Sequence, residues 1–318
     1  MLYPLKFKPV IKYKIWGGDR LKYIYPSDEK IGEVWCISDV DGDESIVENG
    51  FFREQALRSL IRKYKEKLVG EVIYLKYGNR FPLLFKLIDA NDNLSIQVHP
   101  DDFNAKKVFG DNAVGKNELW YVLEANDSFI YAGFSQLVSK EQYLESVNNS
   151  NVELLLNKIS VTKGDLFYIP SGTIHGVGAR NLILEIQQSS DITYRIFDYN
   201  RRNDLGQLRE LHTDKALGAI NFEYIVNCKQ GICFDGKLQQ VISTKNFDIY
   251  SLFLDSEYVF NLFDTCFILT CVDGAFSYSY KNEVGEVMYM ESLLVPASCV
   301  EWFIVKSNKA KVLITIPK

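Results

Sequence analysis

Only three histidines occur among the 318 residues of this chain, and two of them lie where a short strand-like run meets a turn. His99 stands near the end of Leu94–Asp102, and His175 closes Gly164–His175. If both imidazoles bind one metal ion, these two segments must meet in the fold although they are far apart in the chain. This requirement constrains the fold more than any other feature of the sequence.

The segment around His99 has the spacing of a strand that carries two ligands. Side chains alternate between the two faces of a strand, so Gln97 and His99 lie on one face and can reach the same ion. Pro100 then ends the strand, because proline has no N–H to donate to the sheet. A hydrogen-bonded histidine at a strand end is the alternative.

A carboxylate between the two histidines completes the candidate site. Glu118 precedes the apolar run Leu119–Leu123, where a buried charge is costly unless it is paired or bound to metal. A solvent-facing glutamate at the start of a strand is the alternative. Two imidazole nitrogens and two oxygens suit one zinc, or another divalent first-row metal, per chain. The candidate ligands are Gln97, His99, Glu118 and His175.

Most of the chain consists of short β-rich runs with turn residues between several of them, which is typical of strands. We predict strands over Glu71–Lys76, Glu118–Leu123, Phe129–Tyr131, Leu182–Ile186 and Lys311–Ile316. Apolar periodicity and capping residues predict helical insertions at about residues 53–69, 102–110 and 139–157. Asp102 is the expected cap of the second insertion, and Ser139 with Gln142 fits a capping box for the third. Many strands with few helices predict a mainly β fold of the sandwich or jelly-roll type.

The segment around His175 is similar to a motif of the cupin proteins. Gly164 is followed, after five residues, by Pro170 and then by Gly172 and His175. In the cupin motif the glycine and the proline make turns between strands, and the histidine enters a β-barrel. Ala179 stands where that motif has an asparagine. The resemblance implies a cupin barrel around the candidate metal site.

A faint copy of this segment occurs near the C-terminus. Gly164–Ser171 resembles Met290–Ala297, because in both a strand ends at a proline and a second strand follows after a turn. The second copy lacks the histidine. We therefore predict two cupin or jelly-roll β-barrels: a catalytic domain over residues 1–235 and a metal-free domain over residues 236–318. The boundary falls in the predicted turn Asp235–Lys237.

Arg195 stands between apolar residues, where an unpaired guanidinium is costly. It either pairs with Asp191 or Asp198, or it binds an anionic ligand such as a phosphate, for which guanidinium geometry is well suited. His212, the third histidine, has no ligand partner nearby in the sequence. We interpret His212 as structural.

Three further charged residues are candidates for binding or catalysis. Lys116 lies two residues before Glu118 and shares its strand face. Lys86 interrupts the apolar run Phe81–Ala90, where it is either functional or extends its ammonium to solvent. Glu185 lies in a predicted strand that leads into a polar segment.

The charge pattern excludes several classes of partner. The net charge is −5 with both signs interspersed, so no basic run indicates nucleic acid and no basic amphipathic face indicates a membrane surface. Lysines interrupt each apolar stretch near the N-terminus, so we expect no signal peptide. We interpret the six cysteines as reduced core residues and expect a cytoplasmic protein, as a monomer or small homo-oligomer.

Taken together, the chain resembles type I mannose-6-phosphate isomerase (phosphomannose isomerase) in its short bacterial form. The matching stretches follow the family order and are spread over residues 16–212. They are Trp16–Gly18, Phe81–Lys86, Leu94–Asp102, Lys116–Trp120, Pro170–His175, Thr193–Arg195 and Arg209–His212. Residues after about 235 carry little of the family signature.

The resemblance implies a cupin fold, a zinc cofactor and a set of site residues. The metal ligands would be Gln97, His99, Glu118 and His175. Arg195 would be the family's active-site arginine, and Glu185 would be an acidic residue of the pocket. Substrate phosphate would lie near Ser95 and Lys116.

The implied reaction interconverts mannose 6-phosphate and fructose 6-phosphate through a cis-enediol. It needs a Lewis acid and a general base, and Glu185 is our candidate base, with Lys86 or a zinc-bound water as the alternatives. Arg195 would stabilise the enediolate or hold phosphate. Two other functions remain open: an iron-dependent cupin oxygenase, and a sugar-phosphate sensor that binds without catalysis.

Overall fold

The computed structural model describes residues 1–203, 205–223, 229–236, 238–260, 263–301 and 303–318. Lys237, at the predicted domain boundary, and Cys228 lie outside these residues. Cys36, Cys266, Cys271 and Cys299 are buried, as expected, whereas Cys233 is exposed. None of the helices within these ranges is long and apolar enough to cross a membrane.

The described residues are mainly strands. The strands are β1 Val10–Gly18, β2 Ile31–Ile37, β3 Leu83–Ala90, β4 Ile96–Val98, β5 Glu118–Ala125, β6 Ser128–Phe134, β7 Leu156–Val161, β8 Leu166–Ile169, β9 His175–Val177, β10 Asn181–Gln188, β11 Tyr194–Phe197, β12 Lys229–Gln230, β13 Gln239–Ser243, β14 Phe247–Leu254, β15 Glu257–Phe260, β16 Phe267–Tyr280, β17 Glu283–Met288, β18 Ser292–Val295, β19 Phe303–Lys306 and β20 Ala310–Pro317. The helices are α1 Leu57–Tyr64, α2 Glu66–Val69, α3 Glu71–Tyr77, α4 Asp102–Phe109, α5 Lys140–Asn148 and α6 Thr213–Ala219. The predicted mainly β fold with few helices is confirmed.

The strands form three sheets. The first has the order β1-β2-β3-β10-β5-β8-β12, and the second has the order β11-β4-β9-β6-β7. The third is built from β13 to β20, with β16 and β20 paired at its centre. The pairs β5–β10, β4–β11 and β4–β9 are antiparallel, as expected for a jelly-roll architecture.

The chain divides into two compact units, and neither is continuous in sequence. One contains Met1–Val10, Trp35–Phe85 and Gly231–Lys318, and the other contains Ile11–Val34 and Lys86–Gln230. The units therefore differ from the continuous segments 1–235 and 236–318, because N-terminal segments belong with the C-terminal strands. Neither the periodicity of apolar residues nor a turn motif in the sequence can reveal that distant segments belong to the same unit. That residues 236–318 are a metal-free cupin domain remains a prediction.

The core of the second unit lies between its two sheets. Trp16, Trp120 and Ile183 of the first sheet pack with Ile130 and Val177 of the second. A separate cluster covers the other face of the second sheet, where Ile96, Val98, Tyr143, Val152 and Ala216 are all buried. The second sheet therefore carries apolar residues on both faces. The polar residues described below lie on its inner face, beside Ile130 and Val177.

The predicted helices are largely confirmed, but one of them is divided into two, and one predicted strand is helical. Lys65, whose φ is 50°, divides the predicted helix 53–69 into α1 and α2. Glu71–Lys76, predicted as a strand, is helical because it lies in α3. The spacing of its apolar residues fits both the helical and the strand period. Among Val72, Ile73 and Leu75, only Ile73 is buried in the structure. Such short runs do not distinguish a helix from a strand.

The insertions at 102–110 and 139–157 begin with the expected kinds of caps, although α5 ends at Asn148 and β7 already begins at Leu156. The capping box of Ser139 and Gln142 at the start of α5 is confirmed. Asp101, not Asp102, caps α4, since its carboxylate accepts from the Asn104 N–H. Asp102 is instead the first helical residue and accepts from the Gly115 N–H at 2.9 Å. A one-residue error of this kind is expected where two aspartates are adjacent.

We expect Gly178→Ala to destabilise the fold, because a Cβ at this position would lie 2.5 Å from the carbonyl oxygen of Phe129. Such overpacking typically costs about 1–3 kcal/mol in the free energy of unfolding. Gly218→Ala in α6 is the matched control, since its Cβ would meet nothing within 4 Å. The control should be neutral or stabilising by up to about 1 kcal/mol. Chemical denaturation measures both, and an unchanged Gly178→Ala protein would contradict the packing described.

Candidate metal centre and active site

Three neighbouring strands of the second sheet carry polar residues on one face. Gln97 in β4 lies opposite His175 in β9 and, on its other side, opposite Arg195 in β11. Residues directly opposite each other in an antiparallel pair project to the same face. Ser95 and His99 flank Gln97 at two-residue spacing, and both are buried. Register therefore gathers the predicted residues of these strands on one side of the sheet.

The first sheet supplies the acidic residues. Glu118 begins β5 and lies opposite Gln187 in β10, and Trp120 lies opposite Glu185 in the same pair of strands. All four side chains share one face, because each pair is separated from the next by two residues. Glu118 is fully buried, so it is not the solvent-facing glutamate of the alternative interpretation.

His99, Glu118 and His175 form a compact buried cluster. One ligand atom from each lies within 4.8 Å of the other two, and all three residues are buried. Nε2 of His175 lies 3.1 Å from Oε1 of Glu118, and Nε2 of His99 lies 3.5 Å from Oε2. The amide Nε2 of Gln97 is 3.3 Å from Nε2 of His175. An amide presents its oxygen to the same place after a half-turn, so Gln97 can join the set.

Main-chain carbonyls fix the tautomer of both histidines. Nδ1 of His99 lies 2.9 Å from the carbonyl oxygen of Ile192, and Nδ1 of His175 lies 2.8 Å from that of Thr173. A carbonyl oxygen only accepts, so each Nδ1 carries the proton and donates it. Each Nε2 is then unprotonated and lies beside Glu118, with the Gln97 amide near that of His175 and the Lys116 ammonium near that of His99. Metal-ligating histidines are oriented by this kind of contact.

The carboxylate of Glu118 supports the same conclusion. Both of its oxygens are buried, and neither accepts a hydrogen bond of good geometry from the part of the chain that the structure describes. Leaving a charged group in this state costs several kcal/mol unless a counter-charge is close. Lys116 Nζ lies 2.8 Å from Oε2 and supplies one positive charge. Two neutral imidazoles and this carboxylate fit a divalent cation.

Burial dominates the protonation states within the cluster. It lowers the pKa of His99 well below its ordinary value and lowers the pKa of His175 to about 4. Both imidazoles are therefore neutral at neutral pH, as metal ligation requires. Burial also raises the pKa of Glu118, and the opposing attraction of Lys116 does not cancel the effect.

Glu185 is bound on both oxygens. Lys86 Nζ donates to Oε1 at 3.0 Å, and the indole N–H of Trp120 donates to Oε2 at 2.9 Å. Burial alone would raise the pKa of Glu185, but the charges of Lys116 and Lys86 and these hydrogen bonds lower it on balance. Glu185 is thus ionised, and each oxygen keeps a second lone pair.

The two candidate lysines are buried next to the cluster. Lys86 also donates to Oε1 of Gln187 at 2.8 Å, so its ammonium does not extend to solvent. Lys116 Nζ lies 3.2 Å from Nε2 of His99 and 3.8 Å from Glu185. The nearby carboxylates raise the pKa of Lys116 against the effect of burial, so it is charged.

The guanidinium of Arg195 is held by the main chain rather than by a carboxylate. Its Nη1 donates to the carbonyl oxygen of Glu210 at 2.8 Å. Asp198, one of the two aspartates considered as its partner, instead pairs with Arg201 at 2.5 Å and Arg209 at 3.3 Å. Nε of Arg195 is buried and has no hydrogen-bond partner among the described residues.

The sequence alone did not identify Trp120 and Gln187 as parts of the site. Trp120 orients Glu185 and meets His175 edge-on, with ring centroids 5.4 Å apart. Gln187 holds Lys86, and its own amide donates to the carbonyls of Gln188 and Ser190. Two-residue spacing from Glu118 and Glu185 was the available signal, because it places both residues on the same strand faces.

The fold and the site define a cupin-type protein with a buried candidate metal centre. The model of the phosphomannose isomerase type I catalytic domain matches residues 4–131. The chain is 39% identical over 229 residues to GmuF, a probable mannose-6-phosphate isomerase of Bacillus subtilis, covering 71% of this chain and 70% of that protein. It is 32% identical over 317 residues to YvyI, a putative mannose-6-phosphate isomerase of the same species, covering 95% of each.

A solved structure agrees with these matches. The crystal structure of the mannose 6-phosphate isomerase from Bacillus subtilis superposes with a TM-score of 0.85 at 28% identity, covering 99% of both chains. The chain belongs to the type I mannose-6-phosphate isomerase family, a family of enzymes.

We expect one divalent metal ion per chain, bound by the cluster. Metal at a hundredfold excess over its Kd should stabilise the fold by about 2.7 kcal/mol, so a chelator should lower the Tm. Glu118→Ala and His175→Ala should abolish binding, while His212→Ala, at the third histidine, should retain one ion. Elemental analysis and thermal unfolding measure these effects. Binding that survives both cluster substitutions would place the metal elsewhere.

Glu118 rather than the histidines should set the pH dependence of metal affinity. Burial lowers the pKa values of His99 and His175, the latter to about 4, so protons compete at the imidazoles at lower pH than at Glu118. The pKa of Glu118 is raised, so a proton competes there at higher pH. Affinity should fall about tenfold per pH unit below that pKa. Competition with a chromophoric chelator between about pH 5 and pH 8 tests this, and a flat profile would contradict it.

Proposed function

We propose that the protein is a zinc-dependent aldose–ketose isomerase that interconverts mannose 6-phosphate and fructose 6-phosphate through a cis-enediol. The observation that carries the proposal is the buried cluster of His99, Glu118 and His175, with both Nε2 lone pairs facing the carboxylate. Family membership supplies the substrate class. Gln97 would be the fourth ligand, and two nitrogens with two oxygens favour zinc.

The reaction moves one proton between neighbouring carbons of the open-chain sugar. A base takes the proton from C2 of the aldose, and the electron pair forms the C1–C2 double bond of the enediol while the carbonyl oxygen gains a proton. Return of a proton to C1, with loss of the O2 proton as the C2 carbonyl forms, gives the ketose. Bound zinc would supply the Lewis-acid stabilisation of negative charge on the sugar oxygens.

Glu185 is the base that we propose. Because the charges of Lys116 and Lys86 keep it ionised, it can accept a proton at neutral pH. Trp120 and Lys86 fix its two oxygens in place, which limits the reorganisation needed before proton transfer. We propose that Lys86 also relays protons to Glu185, since the two groups share a hydrogen bond.

The remaining charged residues would bind the substrate. Arg195 shares a strand face with Gln97 and keeps a buried Nε donor unpaired within the described residues, which suits the enediolate or the phosphate. Ser95 lies on the same face and would hydrogen-bond the phosphate end. Lys116 would bind the phosphate. We propose that it also balances the charge of the carboxylates, since its Nζ lies 2.8 Å from Glu118 and 3.8 Å from Glu185.

The proposed function is tested by incubating the purified protein with mannose 6-phosphate in D2O, with and without a chelator. NMR follows deuterium incorporation into the sugar and formation of fructose 6-phosphate. Product that depends on added zinc supports the isomerase. Metal-loaded protein that binds the sugar phosphate without exchange would indicate a sensor, and activity that needs oxygen and iron would indicate an oxygenase.

Glu185→Gln should lower kcat by about 10²–10⁴-fold, because a neutral amide cannot accept the proton. Glu141→Gln is the matched control, since Glu141 lies exposed in α5, away from the cluster. Both variants should retain the metal, because neither residue belongs to the ligand set. A Glu185→Gln enzyme with wild-type kcat would remove Glu185 as the base and leave Lys86 as the next candidate. Cytoplasmic location and oligomeric state remain predictions.

A further inference from the structure

The third histidine, His212, lies outside the metal cluster and binds the main chain of Arg195. The backbone N–H of Arg195 donates to Nδ1 of His212 at 3.1 Å. The backbone N–H of His212 donates in turn to the carbonyl oxygen of Arg195 at 2.7 Å. One residue therefore satisfies both main-chain groups of Arg195, with its side chain taking the place of a carbonyl acceptor.

We propose that His212 is a positioning residue that holds Arg195 at the substrate site of the isomerase. The inference rests on the proposed function, because it concerns the arginine assigned there to the enediolate or the phosphate. His212 does not touch the reacting atoms in this account. It acts through the strand that carries Arg195.

The position of Arg195 in the sheet explains why such support is needed. β11 is the outermost strand of the second sheet, so within the described part of the chain β4 is the only strand paired with it. The N–H and the C=O of one strand residue point to the same side, and at Arg195 both point toward His212 and away from β4. Edge strands with free main-chain groups are the least constrained part of a sheet. His212 closes this edge at the functional residue.

A bulge next to Arg195 increases the dependence on this contact. The register of β11 against β4 shifts between Arg195 and Phe197, where the pairing passes from Gln97 to Ile96. Bulges bend a strand and redirect its side chains, and they are common near active sites. The guanidinium is also tied to the carbonyl oxygen of Glu210. The segment from Glu210 to His212 thus fixes both the backbone and the side chain of Arg195.

The contact requires a neutral imidazole, because a protonated Nδ1 would face the Arg195 N–H as a second donor. The charged groups near the ring are the carboxylate of Glu210, 3.9 Å from Nε2, and the cations Arg195 and Lys215. The ring of Tyr194 lies with its centroid 6.3 Å away. Burial lowers the pKa of His212 on balance, although Glu210 opposes the effect. Acid should therefore break the contact.

Three substitutions separate positioning from a general structural role. Asparagine carries its amide oxygen on Cγ, as histidine carries Nδ1, so His212→Asn preserves an acceptor at the right place. His212→Gln moves the acceptor to the position of Nε2, and His212→Ala removes it. We expect His212→Asn to keep kcat within about threefold, and the other two to lose roughly 10²-fold in kcat. Metal content should be unchanged in all three.

An NMR measurement tests the contact without relying on activity. In protein labelled with ¹⁵N-arginine, the Arg195 amide proton, assigned with Arg195→Lys, should shift with pH as His212 titrates. In His212→Asn that pH dependence should disappear. Thermal unfolding of each variant shows whether it is folded. If His212→Ala is unfolded, the comparison of kcat between His212→Gln and His212→Asn tests the proposal.

Equal kcat in wild type, His212→Gln and His212→Asn would overturn the inference, as would an Arg195 amide that does not respond to His212. Loss of kcat in His212→Asn as large as in His212→Gln would also overturn it. A wild-type protein without isomerase activity, but with the expected Arg195 titration, would refute the proposed function rather than the contact.

Discussion

The site depends on two hydrogen bonds from histidine Nδ1 groups to main-chain carbonyls. They leave the Nε2 lone pairs of His99 and His175 directed at one buried carboxylate. A cation bound by these lone pairs would compensate the buried negative charge of Glu118, whose burial otherwise opposes folding. The lysine beside it offsets part of the cost. The cluster is thus arranged for a cation, and the sheets hold Gln97, Glu118 and His175 within strands and His99 directly after one.

The remaining groups are organised around the same centre by strand register. The second sheet brings Arg195, Gln97 and His175 onto one face of three adjacent strands, and the first sheet brings Glu118 and Glu185 onto the opposing face. Lys86 and Trp120 then hold Glu185 in place, and Gln187 holds Lys86. Burial raises the pKa of Glu118, whereas at Glu185 the charges of Lys116 and Lys86 outweigh burial and lower the pKa, so the two carboxyl groups differ in protonation.

Much of this arrangement is predictable from the sequence, because strand periodicity determines which side chains share a face. Gln97 with His99, and Glu118 with Lys116, followed from two-residue spacing, and the capping box of α5 followed from Ser139 and Gln142. Other contacts depend on distant partners. The carbonyls of Ile192 and Thr173 leave no side-chain signal, and the helical state of Glu71–Tyr77 was not distinguishable from a strand. The link between His212 and Arg195 needs the fold, since it crosses the open edge of β11.

Anomalous diffraction at the zinc absorption edge, from crystals of the metal-loaded protein, tests the central claim most directly. The account predicts one peak per chain at bonding distance from Nε2 of His99, Nε2 of His175 and a carboxylate oxygen of Glu118. The side chain of Gln97 should face the same peak through its oxygen. A peak bonded to Nδ1 of either histidine, or one located away from Glu118, would contradict the account.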